Sequence, residues 1–168
     1  HDPLRRQRQM CIRDRVGSGD DDTLIGLEGR DTLIGNAGDN TLDGRAGDDT
    51  LIGGSGADTL IGGSGADTLI GGGGDDFVDG GQGSDLLELD GAAGVTAEGG
   101  DGTDTVVLVG ETNEASLSGV EVVVGSAGDD SVTVSTNDIE AISGGEGFDD
   151  VTLTDASGNT VDLAGVEV

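Results

Sequence analysis

A repeat of nine residues in the first half of this chain limits its fold more than any other feature. Between Gly17 and Glu88 the sequence divides into eight consecutive nonapeptides. Glycine stands at position 1 in all eight and at position 4 in seven, with Asp20 as the exception. Position 6 is acidic in seven of the eight, and position 8 is always aliphatic. Such strict periodicity argues against the disorder that a highly charged chain with few aromatic residues would otherwise suggest.

Each recurrent position of the repeat has a physical role in this interpretation. The glycines allow turns with positive φ and a close approach of the backbone to an ion. The carboxylate at position 6 can then reach a cation held by loop carbonyls, and calcium prefers such an all-oxygen shell. Positions 7–9 read Thr-Leu-Ile in five repeats, which suits a very short strand. Alternation along that strand points position 8 inward and positions 7 and 9 outward.

The eight repeats resemble the RTX, or haemolysin-type, calcium-binding nonapeptide over the whole of Gly17–Glu88. The resemblance implies an all-β fold, a parallel β-roll (β-solenoid) in which two nonapeptides complete one coil. It also implies that calcium lies between loops on the same side, eighteen residues apart. Four loops on each edge leave three gaps, so we expect about six calcium ions.

The resemblance gives the metal-ligand role to the residue at position 6. Departures from the pattern predict weaker early sites, because Leu27 and Arg45 replace the second glycine and Asn40 supplies a neutral oxygen. The best sites are expected between Gly53 and Asp85. A solvated turn aspartate is the alternative for position 6. The predicted ligands stack on one edge as Asp22, Asn40, Asp58 and Asp76, and on the other as Asp31, Asp49, Asp67 and Asp85.

The aspartates at position 5 leave two interpretations open. Their backbone carbonyls are candidate calcium ligands, and their side chains can simply add negative potential. These residues are Asp21, Asp39, Asp48 and Asp75.

After Glu88 the nine-residue rhythm stops, but the motif returns at wider intervals, from Gly99, Gly125 and Gly144. Valine-rich strands between these motifs predict that the solenoid continues over residues 89–168 with longer coils and fewer ions. The same pattern makes Asp104, Asp130 and Asp149 further candidate metal ligands. Glu121 and Glu140 each precede a glycine motif by four residues, and Glu167 repeats that arrangement near the end. We therefore expect this second segment to be truncated in mid-repeat.

Residues 1–15 differ in composition from everything that follows. They hold five of the seven basic residues and the single His, Cys, Met and Pro. Arg5–Arg15 resembles a translated sequencing adapter; a disordered basic arm or the tail of a preceding domain are the alternatives. We therefore exclude 1–15 from functional interpretation. The predicted organisation is a foreign or disordered tail over 1–15, a β-roll over 16–88 and a degenerate solenoid over 89–168.

Charge and composition exclude several classes of function. The net charge of −28 disfavours binding to nucleic acid and to anionic membranes. No apolar run approaches the ~20 residues that a membrane helix needs, so no membrane insertion is expected. Outside 1–15 there is no His or Cys for a catalytic triad, a dyad or a zinc site. We expect no enzyme activity in this chain, although its parent protein could be an enzyme or a toxin.

The predicted function is calcium binding that drives the folding of a secreted, extracellular or cell-surface protein. A glycine-rich chain with stacked carboxylates gains little from its small core, so metal binding would supply folding free energy. RTX modules occur in type I-secreted proteins, which is what the resemblance implies here. The alternatives are a structural segment of an adhesin or surface-layer protein and, from outward threonine rows, an ice-binding solenoid. An outward row of Ile34, Ile52 and Ile70 is either tolerated or packed against a neighbouring domain.

Overall fold

The computed structural model describes residues 14–90, 94–135, 139–147, 150–153 and 163–164. Over these residues the strands alternate along the chain between two parallel sheets. Each strand pairs with the strands two before and two after it in sequence, which is the topology of a two-sided coil. The predicted all-β parallel β-roll is therefore confirmed. In this part of the chain no helix is long and apolar enough to cross a membrane.

Within each sheet the strands lie side by side in the same order as along the chain. The first sheet contains β1 (Asp14–Val16), β3 (Thr32–Ala37), β5 (Thr50–Ser55), β7 (Thr68–Gly73), β9 (Leu86–Asp90), β11 (Thr105–Leu108), β13 (Val122–Val124), β15 (Ala141–Ser143) and β17 (Leu163–Ala164). The second contains β2 (Thr23–Ile25), β4 (Thr41–Ala46), β6 (Thr59–Ser64), β8 (Phe77–Gln82), β10 (Val95–Asp101), β12 (Glu114–Ser118), β14 (Ser131–Ser135) and β16 (Asp150–Leu153).

The aliphatic residues at position 8 form the core between the sheets. Leu33, Leu51 and Leu69 are in register on neighbouring strands and are fully buried. The residues at positions 7 and 9, such as Thr50 and Ile52, are only half-buried. The predicted inward and outward directions are therefore confirmed. One aliphatic side chain from each half-coil thus packs between the two sheets and holds them together.

The strands are longer than the three-residue elements predicted from the repeat. Six of them, β3 to β8, span six residues each and continue into the next repeat. The extension arises because the first residues of the next repeat also pair between coils, as Gly54 does with Gly72. The turn is therefore confined to positions 4–6, where the carboxylates lie.

The described part of the second half continues the same two sheets, as predicted. Its coils are not uniformly longer, however. Val78 pairs with Ala97, Ala97 with Leu117 and Leu117 with Val134, which are separations of 19, 20 and 17 residues. At the other end β1 begins at Asp14, so the predicted boundary after residue 15 falls inside a strand.

Candidate metal centre

Each long edge of the roll carries a column of buried polar side chains from position 6. They lie one above the next because successive coils repeat every eighteen residues, as the hydrogen bonds between them show. All but Asp22 are at most 3% exposed. The structure thus brings together the two predicted sets, Asp22, Asn40, Asp58 and Asp76 on one edge and Asp31, Asp49, Asp67 and Asp85 on the other.

Most of these side chains use one oxygen to accept a hydrogen bond from the coil before them. The Asp49 N–H donates to Oδ1 of Asp67 at 2.7 Å, and the Asp67 N–H donates to Oδ1 of Asp85 at 2.8 Å. On the other edge the Asn40 N–H donates to Oδ1 of Asp58 at 2.7 Å. A buried N–H without a partner would be costly. The carboxylate therefore stabilises the loop of the preceding coil by accepting its N–H.

The other carboxylate oxygen is buried without a hydrogen-bond partner along much of this ladder. Desolvation of a charged oxygen is expensive unless it gains a partner. Burial raises the pKa of Asp67 to about 6, and repulsion from Asp85 and Asp49 adds to the rise. Burial also raises the pKa of Asp76 and Asp104. The unpartnered atoms are Oδ1 of Asp31 and the Oδ2 oxygens of Asp49, Asp58, Asp67, Asp85 and Asp104.

The glycine at position 1 makes room for a backbone oxygen beside this carboxylate. A Cβ placed on Gly62 would lie 2.6 Å from Oδ2 of Asp67 and 2.6 Å from the carbonyl oxygen of Gly80. The same two kinds of oxygen converge on Gly53 and on Gly44. Any larger residue at position 1 would fill the space in which they meet, which we call the oxygen cradle of that repeat. A cradle of carboxylate and carbonyl oxygens fits a hard cation such as calcium.

Among the residues that the structure describes, no three Asp, Glu, His or Cys side chains converge as a metal-binding group. The cradles combine one side-chain oxygen with backbone oxygens instead. Except at Gly35, where Nδ2 of Asn40 takes the place of the carboxylate oxygen, the atoms that meet at these glycines are oxygens, and not the nitrogen or sulfur that zinc sites usually use. The cradles therefore suit calcium, with further oxygens from the loops or from water completing the shell.

The position-5 aspartates have a role that neither sequence interpretation included. The Ala57 N–H donates to Oδ1 of Asp39 at 2.9 Å, and the Asp39 N–H donates to Oδ1 of Asp21 at 2.9 Å. The Ala66 N–H donates to Oδ1 of Asp48 at 3.1 Å. These side chains therefore accept from the following coil, whereas position 6 accepts from the preceding one.

Asp104, beyond the regular repeats, reproduces the first-half geometry. It is fully buried, and its Oδ1 accepts the Asp85 N–H at 2.8 Å. Its Oδ2 is unpartnered and lies 2.8 Å from the place of a Cβ on Gly99, where the Gly119 carbonyl oxygen also points. The predicted ligand Asp149 lies outside the described residues.

Asp130 occupies the same place in its repeat but is saturated with hydrogen bonds. Its Oδ2 accepts the Ser126 N–H at 2.8 Å and the Ser126 hydroxyl at 3.1 Å. Its Oδ1 accepts the side-chain amide of Asn113 at 2.8 Å and the Asn113 N–H at 3.1 Å. Asp130 is only 3% exposed, so these protein donors replace the water that burial removes.

In the first two repeats the position-6 carboxylate also accepts hydrogen bonds from within its own loop. Oδ2 of Asp22 accepts the Ser18 N–H at 2.5 Å and the Ser18 hydroxyl at 2.9 Å, and these bonds lower the pKa of Asp22. Oδ2 of Asp31 accepts the Leu27 N–H at 2.9 Å. The geometry of both loops is thus in line with the weaker early sites that the sequence predicted.

Glu121 is a member of the ladder to which sequence reasoning gave no role. Its Oε2 accepts the Asp104 N–H at 2.7 Å, in the place that an aspartate takes in the regular repeats. The available signal was the spacing of 17 residues from Asp104, close to one coil. The longer glutamate side chain is consistent with that shorter coil.

The family comparison agrees with this geometry. The family model of the RTX calcium-binding nonapeptide repeat, which contains four copies, matches residues 16–51 and again residues 52–87. The match agrees with the resemblance to the RTX repeat family that the sequence predicted, and the repeats of that family bind calcium. Searches of the curated proteins and of the solved structures found no match.

Proposed function

We propose that the cradles between Asp49 and Asp104 bind calcium and that this binding drives the folding of the roll. The observation that carries the proposal is the row of buried carboxylate oxygens without a hydrogen-bond partner. The ligands proposed are the position-6 carboxylates with the position-1 carbonyl oxygens beside them. The position-6 residues that show both features are Asp49, Asp58, Asp67, Asp85 and Asp104, and Asp76 is included from its place in the repeat.

Electrostatics supports a coupling between calcium and folding. The chain carries a net charge of −28, and its ladders place carboxylates one above the next at each coil. Like charges at this spacing destabilise the calcium-free roll, and each bound ion supplies two positive charges. A ligand that binds only the folded state stabilises it in proportion to the logarithm of its concentration. Occupied cradles therefore favour the rolled state over the open chain.

The cellular setting that suits this coupling is extracellular. Extracellular calcium modules typically bind at about 10⁻⁴–10⁻³ M. With such affinities the chain would stay unfolded in a low-calcium cytoplasm and would fold after export, as a type I-secreted protein does. The full reading frame tests this setting, since a protease, lipase or toxin segment upstream supports a secretion module, whereas further tandem repeats support an adhesin or surface-layer segment.

The outer faces of the sheets bear on the remaining alternatives. Ile34, Ile52 and Ile70 form an in-register, half-buried column on the first sheet, and we propose that a neighbouring domain packs there. On the second sheet the column of threonines reaches Thr59, and Phe77 takes the next place in the column. That interruption argues against an ice-binding surface, which needs a regular array. We propose no catalytic role for this stretch, whose described residues include no His or Cys.

Circular dichroism of the full chain tests the proposed function, because the protein has no Trp or Tyr for fluorescence. Calcium added to the chelated protein should produce a cooperative change from coil to β structure at millimolar concentration. Magnesium is the matched control and should not produce it, because it prefers a rigid octahedral shell with several waters. A full β spectrum in chelator that ignores calcium would exclude the coupling.

A further inference from the structure

We infer that the residue at position 2 decides whether a repeat has an open calcium cradle, so that Asp130 is closed to calcium by its own loop. The inference rests on the proposed function. It concerns Ser18, Leu27 and Ser126, which stand at position 2 in the three loops whose carboxylates accept a hydrogen bond from that residue.

The backbone at position 2 separates the two kinds of loop. In the open loops it is left-handed, with φ of 107° at Gly63 and 122° at Gly54. Arg45 and Asn36 adopt the same region without being glycine, with φ of 78° and 80°. In the loops of Arg45, Gly54 and Gly63 the cradle-facing oxygen has no hydrogen-bond partner, as Oδ2 of Asp67 shows. In the loop of Asn36 the cradle-facing atom is Nδ2 of Asn40, which donates to the Gly38 carbonyl oxygen.

The closed loops use the other backbone conformation. Neither Leu27 nor Ser126 has a positive φ, and each directs its N–H to the carboxylate four residues later. That N–H takes the oxygen which faces the cradle, and a donor there repels a cation. In the loop of Ser126 the hydroxyl adds a second donor to the same oxygen. Leu27 and Arg45 both depart from the family glycine, but only Leu27 closes its loop.

The cradle at Asp130 is otherwise intact. A Cβ on Gly125 would lie 3.0 Å from Oδ2 of Asp130 and in contact with the Gly144 carbonyl oxygen. The same pair of oxygens meets in the open cradles. At Oδ2, the oxygen that faces the cradle, what differs is the hydrogen bonds from Ser126. The replacement of this one residue by glycine should therefore open the site.

The test counts calcium ions bound per full chain by equilibrium dialysis at saturating calcium, with circular dichroism to verify folding. Three variants are compared with the wild type: S126G, D130N and D67N. We expect S126G to gain one ion, D130N to keep the wild-type number and D67N to lose at least one. Equal or lower binding by S126G, or a loss of ions in D130N, overturns the inference.

The D67N variant separates this inference from the function on which it rests. If D67N binds as many ions as the wild type while folded, the proposed role of position 6 fails, and the inference fails with it. If D67N loses ions and S126G gains none, only the position-2 rule fails. Should D130N not fold, S126G alone decides, since it keeps the carboxylate, removes the hydroxyl and allows position 2 to adopt the left-handed conformation of the open loops.

Discussion

Asp67 and Asp130 stand at the same position of their repeats and are equally buried, yet their surroundings differ. Asp67 accepts one backbone hydrogen bond, and its other oxygen has no partner. Asp130 accepts hydrogen bonds from Ser126 and Asn113 at both oxygens. A position in a repeat therefore identifies a candidate ligand, whereas its neighbours decide whether that ligand is available. Calcium and protein donors are two solutions to the same problem, the burial of a carboxylate.

The largest loss of folding free energy should come from substitutions in the core between the sheets. Leu60 and Leu117 are both buried leucines of the second sheet. Replacement of either by alanine should cost about 2–5 kcal/mol of folding free energy. We expect L60A, beside the open cradles, to raise the calcium concentration at half-maximal β signal, followed by circular dichroism. L117A, beside the closed loop, should mainly lower the melting temperature in saturating calcium. Equal shifts of the calcium midpoint would show that the halves fold as one unit.

A smaller effect is expected from filling one cradle. In G62A the added Cβ would meet Oδ2 of Asp67 and the Gly80 carbonyl oxygen at 2.6 Å each. Such overpacking costs about 1–3 kcal/mol and should weaken calcium binding as well. G73A is the matched control, since a Cβ there meets no atom within 4 Å. Calcium titration of both variants checks this, and an unchanged midpoint for G62A would argue against the cradle.

A stabilising change is predicted at Arg45. Its φ of 78° is unfavourable for a side chain, by roughly 1–2 kcal/mol. Its ion pair with Asp43, at 3.6 Å on the surface, contributes little. We expect R45G to raise stability by about 0.5–1 kcal/mol in thermal denaturation with calcium present.

Arg30 provides the control for this substitution, because it lacks a positive φ and its Nε donates to the Asp48 carbonyl oxygen at 3.2 Å. R30G should therefore be destabilised by about 0.5–1 kcal/mol. Loss of stability in R45G to the same extent as in R30G would contradict the strain argument.

The smallest predicted effect is the pH dependence of the calcium-free protein. Burial raises the pKa of Asp67 from 3.8 to about 6 and raises that of Asp76 and Asp85 as well. A raised carboxyl pKa means that the folded state binds the proton more tightly than the unfolded chain. The resulting stabilisation is complete below the unfolded pKa and is lost as the pH rises through about 6 for Asp67.

Acidification in chelator from pH 7 towards pH 4 should therefore stabilise the folded state and increase the β signal in circular dichroism. The gain in the free energy of unfolding should be less than about 1 kcal/mol per carboxylate after solvent screening. D67N, which does not titrate, is the control and should show a smaller increase. Loss of β signal over this range would contradict the direction of the predicted shift.

Much of the fold could be predicted from the sequence, because the regular repeat marks both the buried positions and the turns. The aliphatic residue at position 8 predicted the core, and the resemblance to the RTX repeat implied two sheets and two loop edges. Strand length was harder, since pairing by residues such as Gly54 depends on the next coil and not on local propensity. The coil lengths after Glu88 also required the structure, because no regular spacing remains there.

The candidate site was only partly predictable. The columns at position 6 followed from the repeat, including Asp104 outside it. The closure of Asp130 did not, because it depends on the backbone conformation of Ser126, which directs the N–H to the carboxylate. Glu121 illustrates the same limit, since its spacing from Asp104 is only close to the regular eighteen, and the pairing of the strands is needed to show that the coil shortens to 17 residues there.

An anomalous difference map from crystals of the full chain grown with calcium tests the account most directly. The account predicts calcium peaks within about 2.3–2.6 Å of Oδ2 of Asp58, Asp67 and Asp85. It predicts no peak beside Asp130, whose Ser126 hydrogen bonds should persist. A peak coordinated by Asp130, or a folded roll without peaks at the open cradles, would contradict it.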